Sequence, residues 1–122
     1  MTGADDEQTA KKVAKSVITS SLFKSAMFGA DANWGRILCA IGYADAEFNI
    51  DDVEVQLASA KGCIRVCEYG AGVAFSEEFA KEILLEDEIK IIINLGKGSY
   101  SAVAWGCDLT YDYVKINGDY RT

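Results

Sequence analysis

Three short segments rich in strand-forming residues constrain the fold of this chain more than any other feature. Residues 53–57 and 64–69 alternate apolar and polar side chains with period two, which is typical of half-buried strands. Residues 88–94 are rich in β-branched isoleucine, which favours a third strand. Helical patterns lie around these segments without alternating strictly with them, so the order of elements predicts an α+β fold.

Glycines mark the expected turns of the sheet. Lys61 and Gly62 predict a hairpin between the first two strands. Residues 96–99 turn the chain after the third strand, and residues 100–107 are expected to return beside it as a further strand. We therefore predict a small mixed or antiparallel sheet of four to five strands, with three to four helices in a single layer on it.

Two helical patterns precede the strands at the start of the chain. Residues 5–19 place their apolar side chains on one stripe of a helix, and Asp5 is the expected cap. Residues 22–28 are compatible with either a strand or a helical turn. The sequence leaves that choice open.

Later segments carry clearer helix-start signals. Asn33 is expected to cap a helix over residues 34–41, and Ser76 is expected to cap another over residues 76–85. The tail from Thr110 is rich in aromatic and branched residues almost to its end, which predicts a docked final helix.

Composition bounds the class of protein. A chain of 122 residues fits a single domain over residues 1–122, and its net charge of −7 disfavours binding to a nucleic-acid backbone. There is no apolar run of about 18 residues and no apolar signal sequence at the start, so we expect a cytoplasmic protein without a membrane partner.

Cysteine and histidine usage argues against a metal or cofactor site. The chain has no histidine, and its four cysteines are expected to be reduced and buried. Cys63 and Cys67 are four residues apart, which would place both on one face of a strand. We therefore expect no metal and no cofactor.

Three segments together resemble a known family. Residues 29–36 (Gly-Ala-Asp-Ala-Asn-Trp-Gly-Arg), 66–70 (Val-Cys-Glu-Tyr-Gly) and 104–122 closely resemble the β-chain of glutamate N-acetyltransferase. That enzyme is also called ornithine acetyltransferase, a bifunctional acyltransferase of arginine biosynthesis. The resemblance extends along essentially all 122 residues, and the tail is its most specific part.

The resemblance implies a particular chemistry. The family's precursor cleaves itself into an α-chain and a β-chain, and the first residue of the β-chain is a threonine that acts as the nucleophile. It takes acetyl from N-acetylornithine, or in some members from acetyl-CoA, and passes it to glutamate. A terminal amine can act as base for its own hydroxyl, so this chemistry needs no histidine.

The chain is too short to be that whole β-chain. We expect it to be an isolated C-terminal domain, inactive alone, whose partners are the α-chain and the rest of the β-chain in an α2β2 assembly. Thr2 would become terminal if Met1 were removed, but its surroundings do not resemble the family's cleavage segment, so no catalytic residue is assigned here. A free-standing binding or assembly module derived from this domain is the alternative.

The resemblance also assigns candidate site residues. It implies that Asn117 and Thr122 contact the substrate, since an asparagine amide both donates and accepts and a terminal carboxylate can pair with an ammonium group. Asn33, Trp34 and Arg36 either line the site or pin a loop.

For Arg36 we favour the structural role. A bridge from its guanidinium to Asp108 or to Asp112 is the expected contact.

Overall fold

Four α-helices and four β-strands make up the part of the chain that the computed structural model describes, residues 1–108. The helices are α1 (Glu7–Ile18), α2 (Ser21–Phe28), α3 (Trp34–Gly42) and α4 (Glu77–Leu84). The strands are β1 (Glu54–Ser59), β2 (Gly62–Glu68), β3 (Ala71–Gly72) and β4 (Lys90–Asn94). The predicted α+β class is confirmed, and the tail helix expected from Thr110 lies outside the described residues.

Side-chain caps start each helix, and one of them differs from the prediction. Asp6, rather than Asp5, caps α1: its Oδ1 accepts from the backbone N–H of Thr9 at 2.7 Å. A capping carboxylate reaches the N–H three residues ahead, and that geometry is met from position 6. The open choice at residues 22–28 resolves as a helix, because the Ser20 hydroxyl caps α2. The predicted caps Asn33 and Ser76 are confirmed.

The sheet has the order β3-β2-β1-β4, and every pairing between these strands is antiparallel. The predicted hairpin between the first two strands is confirmed, with Ser59 opposite Gly62. In the inner strand β1, Val55 and Leu57 are fully buried whereas Glu54 and Gln56 are only half-buried. One face of the sheet therefore packs into the core and the other is polar, as period-two alternation requires.

A β-bulge overturns the prediction that Cys63 and Cys67 share a face. Val55 lies opposite Cys67 but Gln56 lies opposite Arg65, so Val66 is an extra residue that reverses the alternation in β2. Cys67 is consequently buried, whereas Cys63 is exposed.

The expectation of four buried thiols is also wrong. Cys39, Cys63 and Cys107 are exposed, and Cys67 alone of the four is buried. Burial raises the pKa of the Cys67 thiol, which lowers its reactivity.

The predicted hairpin between β4 and residues 100–107 is wrong, because the first residues of the chain lie between its two arms. Thr2 donates its N–H to the carbonyl of Ile93 (2.7 Å) and accepts from the N–H of Leu95 (3.0 Å), which makes a parallel pairing with β4. On the other side, Ala4 and Tyr100 exchange backbone hydrogen bonds of 3.1 and 3.2 Å. A backbone edge accepts any extended segment, so local sequence did not reveal this insertion.

The core is one cluster built by the helices and the inner face of the sheet. Val13 of α1, Ile37 and Ile41 of α3, and Ile83 of α4 are fully buried in it. A hydrogen bond from the Ser16 hydroxyl to the Ala40 carbonyl also joins α1 to α3. Within residues 1–108, none of the helices has the length and apolar character needed to cross a membrane.

Gly3 gives a test of the inserted segment. Its φ is +74°, and a Cβ built there would lie 2.2 Å from Asn94 Oδ1 and 2.8 Å from the backbone N of Gly96. We expect Gly3→Ala to lower the free energy of unfolding by about 2 kcal/mol or more, measured by urea titration. The matched variant Gly42→Ala meets nothing within 4 Å and should be neutral or stabilising by up to about 1 kcal/mol. Equal effects of the two variants would contradict the insertion.

The Asp6 cap predicts a pH dependence of stability. The N–H of Thr9 holds the pKa of the Asp6 carboxyl below its ordinary value of 3.8. Because the folded-state pKa is the lower one, the stabilisation is complete above the unfolded pKa and is lost as the pH falls through the folded one. We expect Asp6→Asn to remove this part of the acid dependence of unfolding free energy, and the neighbouring Asp5→Asn to leave it in place. Identical pH profiles for Asp6→Asn and the wild type would contradict the cap.

Candidate functional site

The loop of residues 29–36 lies at the start of α3, and Asn33 is committed to capping that helix. Its Oδ1 accepts from the backbone N–H of Arg36 at 3.1 Å. Its Nδ2 donates to Asp31 Oδ2 at 3.3 Å. Both ends of the amide therefore hold the loop in place.

Trp34 is half-buried and joins the start of α3 to the short edge strand β3. A Cβ at Gly72 would lie 2.4 Å from Trp34 Cζ2, so the indole rests directly on the backbone of that glycine. Glycine at position 72 is what allows this close approach. The ring acts as a packing group between a helix and the sheet.

Arg36 binds a different partner from the one expected. Its Nη1 donates to the carbonyl of Leu22, at the start of α2, at 3.0 Å. The expected bridge to Asp108 is not formed, and Asp112 lies outside the described residues. The guanidinium joins α3 to α2, so the geometry favours the loop-pinning interpretation.

The two predicted substrate contacts, Asn117 and Thr122, lie outside the described residues. They stay predictions.

Residues 1–108 do not bring an activated nucleophile together with a base. The Thr2 hydroxyl donates to the Ile93 carbonyl at 3.5 Å, in the middle of a paired segment. The Cys67 thiol is buried and its pKa is raised. Over the same range no group of three acidic, cysteine or histidine side chains is placed to hold a metal.

A polar network that the sequence analysis missed covers the open face of the sheet. Arg65 pairs with Glu54 at 3.2 Å and with Glu68 at 3.4 Å. Gln56 donates to the same Glu54 at 2.8 Å and accepts from the Cys63 thiol at 3.1 Å. The polar residues at the outward-facing positions of the two alternating strands were the sequence signal that could have revealed this network. Because these polar side chains are hydrogen-bonded or ion-paired to one another, the network covers the outer face of the sheet.

An open groove also lies between α3 and the segment of residues 46–50. Its walls are small or apolar: Gly35, Leu38, Cys39, Gly42, Ala46, Phe48 and Ile50 with Asn49. Elsewhere in residues 1–108, large apolar side chains stand exposed, among them Leu22, Tyr43, Tyr69, Val103 and Trp105.

Comparison with known proteins points to one family. The model of the ArgJ family matches residues 1–122. The arginine biosynthesis bifunctional protein ArgJ of Caldanaerobacter subterraneus subsp. tengcongensis is 55% identical over 119 residues, which cover 98% of this chain and 30% of that protein. The glutamate N-acetyltransferase of Methanopyrus kandleri is 45% identical over 120 residues, which cover 98% of this chain and 31% of that protein.

A solved structure has the same fold. The crystal structure of the arginine biosynthesis bifunctional protein ArgJ from Bacillus halodurans matches with a TM-score of 0.89 and 46% identity. The match covers 98% of this chain and 55% of that chain. This chain therefore spans about 30% of the length of the curated relatives and about half of the solved chain.

The role of Arg36 can be tested against that of Arg65. Arg36→Ala removes a charge-assisted hydrogen bond between two helices and should lower the free energy of unfolding by about 1–2 kcal/mol. Arg65→Ala breaks partly exposed ion pairs and should cost less than about 1 kcal/mol. Urea titration of both variants gives the comparison. Unchanged stability in Arg36→Ala, with a raised KM in the longer enzyme, would return Arg36 to the substrate site.

Proposed function

Because the chain belongs to the ArgJ family, we propose that it is one portion of an acetyltransferase that moves acetyl from N-acetylornithine to glutamate. The observation that carries this proposal is the family match over residues 1–122. Relatives at 45–55% identity are named for arginine biosynthesis and for glutamate N-acetylation. The reaction is an acyl transfer through an acetyl-enzyme.

The lengths of the relatives support a portion of a two-chain enzyme. The aligned region is about 30% of the curated relatives but 55% of the solved chain. The solved chain is thus much shorter than those relatives, as expected if a precursor is cut into an α-chain and a β-chain. In our proposal, the α-chain and the remaining β-chain are the partners of this chain in an α2β2 assembly.

We place this portion at the carboxyl-terminal end of the β-chain. The support is the resemblance of residues 104–122 to the end of that chain. The alternative is a portion nearer the amino terminus of the precursor. The mass and the first residues of the natural gene product distinguish the two placements.

The chemistry of the described residues fits a supporting role. The nucleophile of the proposed mechanism is a threonine outside this chain, whose own terminal amine serves as the base. The chain has no histidine, Thr2 is tied into backbone pairing, and Cys67 is buried. This portion would contribute its tail to the substrate pocket, with the Asn117 amide and the Thr122 carboxylate as contacts.

A free-standing binding module is the second candidate, and the groove beside α3 is the observation that favours it.

Acetyl transfer from N-acetylornithine to glutamate separates the two candidates. We expect this chain alone to show no turnover, because it lacks the nucleophile, and the longer enzyme that contains it to be active. Turnover by the chain alone would contradict the missing nucleophile. An inactive longer enzyme would favour the binding module.

The role of Asn117 can be tested in that longer enzyme. Asn117→Ala should remove one polar substrate contact worth roughly 1–3 kcal/mol, and so lower kcat/KM by roughly five- to 150-fold. Gln8→Ala, an exposed position on α1, is the matched control and should leave kcat/KM unchanged. Equal kcat/KM in the Asn117 variant and the wild type would remove Asn117 from the site.

A further inference from the structure

The edge of β4 that faces away from β1 is only half covered. Thr2 uses the carbonyl of Ile93 and the N–H of Leu95. Alternate residues of a strand face the same neighbour, so the N–H groups of Ile91 and Ile93 and the carbonyl of Ile91 point to this same edge. No pairing within residues 1–108 reaches those three groups.

The chain after residue 100 lies on the other side of the first residues. The N–H of Ala102 donates to the carbonyl of Met1 at 3.1 Å, which is the last bond on that side. Beyond Ala102, Val103 is 69% exposed and Trp105 is 85% exposed. We call the free stretch of the β4 edge beside residues 90–93 the slot, and Met1 lies at one end of it.

The open edge lacks the features that protect a permanent sheet edge. Edge strands of native proteins are usually blunted by proline, by charges or by a cover, because their free backbone groups otherwise pair with other chains. Here the edge carries three consecutive isoleucines, Ile91 to Ile93, no proline, and one charge, Lys90. We expect such an edge to be covered by another segment of protein.

We propose that the segment of the longer enzyme that directly precedes Met1 fills this slot as a further strand, parallel to β4. This inference rests on the proposed function, in which the chain is a portion of a longer protein. Thr2 already pairs with this edge in the parallel direction, so the residues that precede Met1 can continue along the slot without a turn. About 70% of the length of the curated relatives lies outside the matched region, and the carboxyl-terminal placement proposed above puts that length before Met1.

The register of Thr2 against β4 predicts which positions of the missing strand carry apolar side chains. Thr2 pairs with Asn94, and Met1 packs against the core beside the buried Ile93. Since successive side chains of a strand alternate between faces, the residue before Met1 lies on the polar face with Ile92. The residue before that lies on the core side beside Ile91. The segment that fills the slot should therefore alternate polar and apolar residues, with the apolar ones under the helices.

Amide hydrogen exchange measured residue by residue tests the slot. The rates are compared between this 122-residue chain and the longer enzyme that contains it. We expect the amides of Ile91 and Ile93 to exchange at least about tenfold more slowly in the longer enzyme, because each gains a backbone acceptor there. The amide of Ile92, which pairs with Gln56 of β1, is the internal control and should be protected in both.

Two results would overturn the proposal. Equal, fast exchange of Ile91 and Ile93 in both proteins would show that nothing fills the slot. Equal, slow exchange in both would assign the slot to residues 109–122 of this chain instead. A matched pair gives a second measurement: this chain extended by the ten residues that precede it in its gene should show the protection, and the same extension with its sequence scrambled should not.

The outcome is separable from that of the acetyl-transfer assay. A longer enzyme that is active but leaves Ile91 and Ile93 unprotected overturns the slot alone. Protection of these amides in a longer enzyme that transfers no acetyl overturns the proposed function alone.

Discussion

Backbone pairing of the first four residues organises this structure. Residues 1–4 run between β4 and residues 100–102, and the carbonyl of Gly3 accepts from the N–H groups of both Lys97 and Gly98 at 2.9 and 2.8 Å. That arrangement fixes the turn after β4, and it places α1, which starts at Glu7, over the core. The positive φ of Gly3 and the close approach of Asn94 make glycine necessary at this point.

In the candidate site and on the sheet, side chains that hold the fold together lie apart from surfaces that are left open. The Trp34 ring packs the start of α3 onto β3, and the Arg36 guanidinium is used in joining α3 to α2. The outer face of the sheet is covered by its own ion pairs around Arg65. The groove beside α3 is lined by small and apolar side chains, and the free edge of β4 carries three consecutive isoleucines.

The helix caps and the first hairpin lie close to where the local sequence patterns predicted them. The caps at Ser76 and Asn33 and the β1–β2 hairpin were predictable because a capping oxygen or a two-residue turn involves only neighbours in sequence. The shift from Asp5 to Asp6 arose because two adjacent aspartates satisfy the same pattern. Of the candidate site, the sequence identified the loop of Asn33, Trp34 and Arg36. It could not identify the Leu22 carbonyl as a partner, because any residue type supplies a carbonyl.

The sequence by itself determined the α+β class, the starts of the later helices and the family to which the chain belongs. These depend on periodicity, on capping chemistry and on specific residue combinations. The tertiary structure alone decided which strands are neighbours, where the bulge at Val66 reverses the alternation, and which thiols are exposed. The physical reason is that a strand edge offers the same N–H and carbonyl groups whatever its side chains, so its partner is chosen by the packing of the whole domain.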